Sequence, residues 1–321
     1  MKTRLFRLCV AIAALATATV AGVGLESPAS AAPRQLPVTY GNAAMVDKAA
    51  TDWDGPTAGA DDDRCRPSSA HPRPVVLVGS TFLSAGVNWT SIAPYLHNAG
   101  YCVFTVDYGK TLYRIGPGLN GLDPLSSSAI ELDRAVAHIQ RVTGTRELDF
   151  VGHSQGGLVI RYFLNQIAPH RGSEHEVSAH TVVLLSSPYS MTGPIDFGPL
   201  IRDHAPAAVR DAARRAGRTA PFPLSIVNPW EFAKAQTLQP GVRYVQITDV
   251  ADEMGMLGGM MPPRGARNAT TTYLNAVCPT DFSQHFAQPY SPTAVALIGN
   301  ALDPAHARTP PCAVVPLYSV H

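Results

Sequence analysis

Five residues in the middle of the chain have the types and spacing of a nucleophile site. They are Gly152-His153-Ser154-Gln155-Gly156, a G-x-S-x-G pattern continued by Gly157. The pattern follows a strand-like stretch, Leu148 to Val151, and precedes a helical stretch from Gln155 to about Ile167 that Pro169 closes. A strand that turns so sharply into a helix holds its serine in strained backbone, and bulk at positions 152 or 156 would clash there. The turn lifts the Ser154 hydroxyl above the sheet edge. It also aims the free N–H groups at the helix start toward an oxyanion forming beside it, with Gln155 supplying one of them. That chemistry is acyl transfer through a serine. The competing reading is a tight turn with an incidental serine, and the strand–turn–helix setting favours the nucleophile.

A serine hydroxyl needs a base, and an acid that orients the base without taking its proton. In sites of this kind the chain order is nucleophile, acid, histidine. The late histidines are His285, His306 and His321. His321 is the chain terminus and His306 follows the last helical stretch, whereas His285 lies in a loop anchored by Cys278, so His285 is preferred. The acid should follow the strand-like run Val242 to Ile247, where Asp249, Asp252 and Glu253 stand. Asp252 is preferred and Asp249 is the alternative. Directly after them Met254, Met256, Leu257, Met260 and Met261 form an adaptable apolar stretch. Such a run can line an acyl channel, with Met254 and Met256 nearest the acid, but it is more often ordinary packing.

The elements that must position these residues alternate in type. Val75 to Val78, Tyr101 to Val106, Leu148 to Val151, Thr181 to Leu185 and Val242 to Ile247 read as strands. Between them, Asn88 to Asn98 reads as a helix ending at Gly100. A second helix opens on the capping box Ser128-Ala129-Ile130-Glu131 and ends at Gly144. Leu132, Val136 and Ile139 give that helix one apolar face. Strands alternating with helices make the class α/β, with a mostly parallel central sheet and helices on both faces. Residues 32 to 74 read as an irregular arm. About 186 to 240 is a proline-rich insertion with a basic stretch, Arg210 to Arg218. Two readings of that insertion stay open: a cap over the carboxyl ends of the strands, or a solvated surface excursion.

The 321 residues carry a formal net charge of +1, with 45% hydrophobic and 15% charged residues. Near-neutrality argues against a nucleic-acid partner, and the apolar content excludes a disordered chain. Lys2, Arg4 and Arg7, an apolar run from Leu8 to about Leu25, and Ala29-Ser30-Ala31 form a cleavable export signal over residues 1–31. Residues 32–321 are then a single domain, secreted, with net charge −1 and four cysteines. An even number outside the cytoplasm implies two disulfides. Cys65–Cys102 and Cys278–Cys312 close the shortest loops. None of the four sits in a C-x-x-C pair, so a metal site is not indicated.

The sequence resembles the secreted actinobacterial lipases and esterases of the class 2 triacylglycerol lipase family, within the α/β-hydrolase superfamily. The likeness rests on Cys65-Arg66-Pro67, Pro74-Val75-Val76-Leu77-Val78, Val87-Asn88-Trp89 and Gly100-Tyr101-Cys102-Val103-Phe104. It continues through Val151 to Gly157, Cys278-Pro279 with Asp281 and His285, and Asn300-Ala301-Leu302-Asp303-Pro304. It implies an α/β-hydrolase fold and ester hydrolysis, with Ser154 as nucleophile, His285 as base and Asp252-Glu253 matching the family's acidic pair. Two departures stand out. Gly79-Ser80-Thr81 replaces the family's His-Gly-Thr in the loop that gives the second oxyanion donor, so the donor is the backbone N–H of Thr81 or of Phe82. The segment from Pro188 to Pro240 also differs, which leaves the acyl-binding wall unspecified, with Phe82, Met254 and Met256 as candidate lining residues.

The expectation is a secreted, monomeric serine esterase or lipase acting on hydrophobic acyl esters, with transient contact to a lipid interface and no cofactor. The rivals are a non-catalytic binding protein of the same fold, suggested by Gly79-Ser80, and an acyltransferase using the same residues.

Overall fold

The computed structural model describes residues 35–110, 119–173, 176–190, 206–219, 229–256 and 259–317. The proposed export signal and His321 lie outside them, as does much of the 186–240 insertion. In chain order the strands are β1 (Val75–Val78), β2 (Val103–Val106), β3 (Glu147–His153), β4 (Ser178–Leu185), β5 (Arg243–Thr248) and β6 (Ala269–Tyr273). They form one parallel sheet in the order β2-β1-β3-β4-β5-β6. The chain runs outward from β1 to β2, then returns across β1 to β3 and continues the other way. The order therefore reverses between β1 and β3, and in an open parallel sheet such a reversal leaves a crevice at the carboxyl ends of those strands. Register brings them level, with Val78 opposite Gly152.

The helices are α1 (Asn42–Thr51), α2 (Ala85–Asn88), α3 (Ile92–Asn98), α4 (Leu125–Thr143), α5 (Gln155–Gln166), α6 (Ala207–Thr219), α7 (Pro229–Ala233), α8 (Leu274–Val277) and α9 (Pro292–Leu302). Period-two alternation in the strands splits the core into two layers. Val76, Val78 and Phe150 join Leu132, Val136 and Ile139 of α4 and Leu158 and Phe163 of α5 on one face. Val75, Leu77 and Val151 join Trp89, Leu96 of α3 and Val295 and Ile298 of α9 on the other. Helices thus cover both faces, as the alternating pattern requires.

Several local readings are corrected. The supposed irregular arm contains α1, which buries none of its residues and so carries no apolar stripe to betray it. The helix expected from Asn88 to Asn98 is two helices, with Pro94 inside the first turn of the second. α4 begins at Leu125 behind Pro124, so Ser128 is not its cap, and Glu131 instead accepts the Gly109 N–H at 2.9 Å. β6 is an additional strand at the sheet edge, beyond the five that the sequence indicates. In the insertion, α7 docks Phe232 into the core, Ala235 just beyond it is buried there too, and Tyr162 of α5 donates to Glu231 at 3.3 Å.

The cysteines pair as Cys65–Cys102 and Cys278–Cys312. Among the described residues no helix is long and apolar enough to cross a membrane.

Candidate active site

β3 ends at His153 and α5 starts at Gln155, leaving Ser154 alone to make the turn, at φ 56° and ψ −123°. A non-glycine residue there is strained. The surroundings hold it: the Ser154 N–H donates to the Leu185 carbonyl at 2.9 Å. The glycines of the motif are needed for space. A Cβ at Gly156 would stand 2.0 Å from the Val78 carbonyl oxygen, and one at Gly152 would stand 2.6 Å from the Gly157 backbone.

From this turn the Ser154 hydroxyl reaches Nε2 of His285 at 2.7 Å. The other ring nitrogen, Nδ1, lies 3.0 and 3.3 Å from the two carboxylate oxygens of Asp252. Three loops, after β3, after β5 and after α8, therefore converge on one line of side chains. His285 and Asp252 are buried, while Ser154 keeps partial exposure. Asp252 also accepts the Met254 N–H at 3.0 Å and the Gln288 amide at 3.1 Å. Burial pushes its carboxyl up, but the hydrogen bond and charge of His285, with Ser186 and the Met254 N–H, outweigh that and hold it below the usual carboxylate range.

The runner-up acid faces elsewhere. Asp249 accepts the N–H groups of Ala251 at 2.7 Å and Asn275 at 3.1 Å. Burial first, then the charges of Asp281 and Asp252, raise its carboxyl to about 6 against those two hydrogen bonds. Glu253 accepts the backbone N–H of His285 at 3.0 Å, so it fixes the histidine's main chain rather than its ring. His306 pairs with Asp303 at 2.9 Å on the surface.

The loop after β1 lies against the Ser154 turn. The hydroxyl of Tyr108 donates to the Gly79 carbonyl at 2.7 Å, and Ser80 is bonded to Asn88. The Thr81 hydroxyl donates to the Gln155 side-chain oxygen at 2.7 Å, which links the two proposed donor residues. Of the two alternative donors, the Phe82 N–H is occupied by the Asn120 carbonyl at 2.9 Å. Among the described residues neither the Thr81 nor the Gln155 N–H has an acceptor, so both are free to donate. Gly121 makes room, since a Cβ there would stand 2.2 Å from the Gln155 side chain.

The lining residues are less defined. The Phe82 side chain is exposed and Met254 is half-buried, while the Met256 side chain lies outside the described residues. Among the described residues no group of three or more His, Cys, Asp or Glu could hold a metal ion. Sequence reasoning missed His153 and Asn88 as neighbours of the site. His153 stands inside the motif and Asn88 inside the Val87-Asn88-Trp89 match, but neither segment carries a local signal for a bond between them.

Sheet order and the strained turn define the class of protein: this is an α/β-hydrolase fold with a serine at its turn. Residues 72–176 match the family described as lipase (class 2), a match that supports ester hydrolysis in general. No curated protein matches the chain. Solved structures similar to it include an esterase of Pyrobaculum calidifontis, at 17% identity and TM-score 0.45 over 82% of this chain and 90% of that one. The mature lipase BlEst2 of Bacillus licheniformis is similar at 14% identity and TM-score 0.45 over 78% and 96%. An extracellular α/β-hydrolase from a Paenibacillus species is similar at 16% identity and TM-score 0.43 over 72% and 99%.

Proposed function

We propose that the protein is a serine esterase or lipase that hydrolyses hydrophobic acyl esters through an acyl-enzyme on Ser154. The observation that carries this reading is the unbroken contact from Ser154 through His285 to Asp252, at 2.7 and 3.0 Å. His285 accepts the serine proton at Nε2 as the oxygen attacks the ester carbonyl. Asp252 holds Nδ1–H and stabilises the imidazolium. The N–H groups of Thr81 and Gln155 bind the oxyanion, His285 passes its proton to the departing alcohol, and water then repeats the sequence to release the acid.

Apolar exposure supports a hydrophobic substrate. Phe82, Val250, Met261 and Phe282 are exposed on the same loops that carry the site residues. Phe82, Met254 and Met256 are proposed to line the acyl group, and the same rim to make transient contact with a lipid interface. The two disulfides fit an oxidising compartment. With the signal-like residues 1–31 they support export.

The test is turnover of p-nitrophenyl esters of short and long acyl chains by wild type and Ser154→Ala. The variant should keep its circular dichroism spectrum and lose hydrolysis by at least about 10³-fold. Undiminished turnover overturns the reading.

A further inference from the structure

Behind the line from Ser154 to Asp252 stands a second chain of buried side chains with no part in the proton transfers above. The ring of His153 lies beside that of His285, with centroids 5.2 Å apart. Its Nε2 is 3.1 Å from the backbone carbonyl oxygen of His285, and its Nδ1 is 3.0 Å from Oδ1 of Asn88. The same Asn88 oxygen accepts the Ser80 N–H at 3.0 Å and the Ser80 hydroxyl at 2.8 Å. Ser80, Asn88 and His153 are all fully buried. One oxygen therefore joins the loop after β1 to a ring that touches the main chain of His285.

The arrangement is over-subscribed, which is what makes it a coupling. Both ring nitrogens of His153 face oxygen acceptors. Burial, and then the positive charge of a protonated His285, push this imidazole down to about 3, so it is neutral and carries one N–H. If Nδ1 holds the proton, the ring bonds Asn88 and sets a lone pair against the His285 carbonyl. If Nε2 holds it, the carbonyl is satisfied and the Asn88 oxygen faces a lone pair. Turning the Asn88 amide would bring its Nδ2, buried without a partner among the described residues, to the ring. The same turn would set Nδ2 against the Ser80 N–H. The position of the loop and the tautomer of the ring cannot be chosen independently.

We propose, resting on the serine-hydrolase reading, that Asn88 and His153 are positioning residues that tie the oxyanion loop to the main chain of His285. The donor at Thr81 and the base at His285 then keep one separation while the carbonyl becomes tetrahedral. The ester carbonyl gains little from the Thr81 N–H before attack, and the oxyanion gains much. Loosening Ser80, the residue next to Thr81, should lower kcat and leave KM nearly unchanged.

The test measures p-nitrophenyl butyrate turnover per site titrated with a fluorophosphonate, for wild type, Asn88→Ala, Asn88→Asp and His153→Phe. Asn88→Ala and His153→Phe should label to the wild-type stoichiometry while kcat per labelled site falls about 10- to 10²-fold and KM stays within about two-fold. Asn88→Asp keeps an oxygen that accepts from Ser80 and from Nδ1–H, and should recover to within about three-fold of wild type. A merely structural role would lower the labelled fraction and leave kcat per labelled site intact, which overturns the proposal. So does an Asn88→Asp no better than Asn88→Ala. If Asn88→Ala yields no folded protein, Ser80→Ala reads the same link through one deleted hydroxyl: a lower kcat per labelled site supports it, and an unchanged one overturns it. A wild type that neither labels nor turns over overturns the serine-hydrolase reading together with this proposal. An active wild type with indifferent variants overturns this proposal alone.

Discussion

Asp249 and Asp252 stand three positions apart after β5, yet their carboxylates serve different partners. Asp252 meets the His285 ring at 3.0 Å, and Asp249 turns to the N–H groups of Ala251 and Asn275 at 2.7 and 3.1 Å. If Asp252 orients the imidazole, Asp252→Asn should lower kcat by about 10³–10⁴-fold, because an amide favours the wrong ring tautomer. Asp249→Asn should change kcat by less than about three-fold. Steady-state kinetics on both variants decides between them, and a larger loss at Asp249 would move the role there.

The same pair differs in its pH behaviour. Burial holds the Asp249 carboxyl at about 6, above its value in an unfolded chain. The folded state therefore keeps a proton that the unfolded state releases near pH 4. The sign follows: this group favours the fold below about pH 4, and its contribution declines as pH rises to about 6 and is level beyond. Asp249→Asn removes that dependence, so urea unfolding should show the variant gaining on wild type between pH 4.5 and 7. A difference in stability that is constant over this range would contradict the burial argument.

Much of this fold was legible in the chain because burial and periodicity coincide. Val75 to Val78 is wholly buried and reads as a strand from its β-branched run, and the elbow announces itself through glycines whose Cβ atoms would collide with backbone. β6 was not legible, since Ala-Thr-Thr-Thr-Tyr at a sheet edge is only half-buried and alternates nothing. Ser128 and Glu131 mimic a capping box, but Pro124 sets the helix start earlier and both side chains lie inside the helix. The site divides the same way. A serine between glycines carries a local signal, whereas Asn88 meets Ser80 and His153 only through a fold that closes 65 positions of chain between Asn88 and His153.

Two glycines separate crowding from backbone conformation. Gly156→Ala would place a Cβ 2.0 Å from the Val78 carbonyl and 2.6 Å from the Gly79 carbonyl, both fixed main chain. Strand β1 or α5 must shift, and a loss of about 3 kcal/mol is expected, with activity falling as the oxyanion loop moves. Gly144 ends α4 at φ 74° with nothing within 4 Å of its would-be Cβ. Gly144→Ala should cost only about 1 kcal/mol of left-handed backbone strain and leave kcat unchanged. Urea midpoints and turnover measured together distinguish the two effects, and equal losses would refute the steric account.

The two disulfides should also differ in what their removal does. Their loops are similar, with separations of 37 and 34 residues, so chain entropy assigns each about 4 kcal/mol. Their surroundings are not similar. Cys278–Cys312 brings in the chain that reaches Val315, whose N–H donates to the Thr280 carbonyl at 3.0 Å and whose carbonyl accepts the Phe282 N–H at 2.9 Å. Those contacts brace the loop that ends in His285, while Cys65–Cys102 ties the segment before β1 to the start of β2, at the opposite end of the strands from the serine. Replacing Cys278 and Cys312 with serine should therefore lower kcat as well as thermal stability, and replacing Cys65 and Cys102 should lower stability alone. The comparison is made at a temperature where both variants remain folded by circular dichroism. Equal kcat in the two variants would show that the tail does not brace the histidine loop.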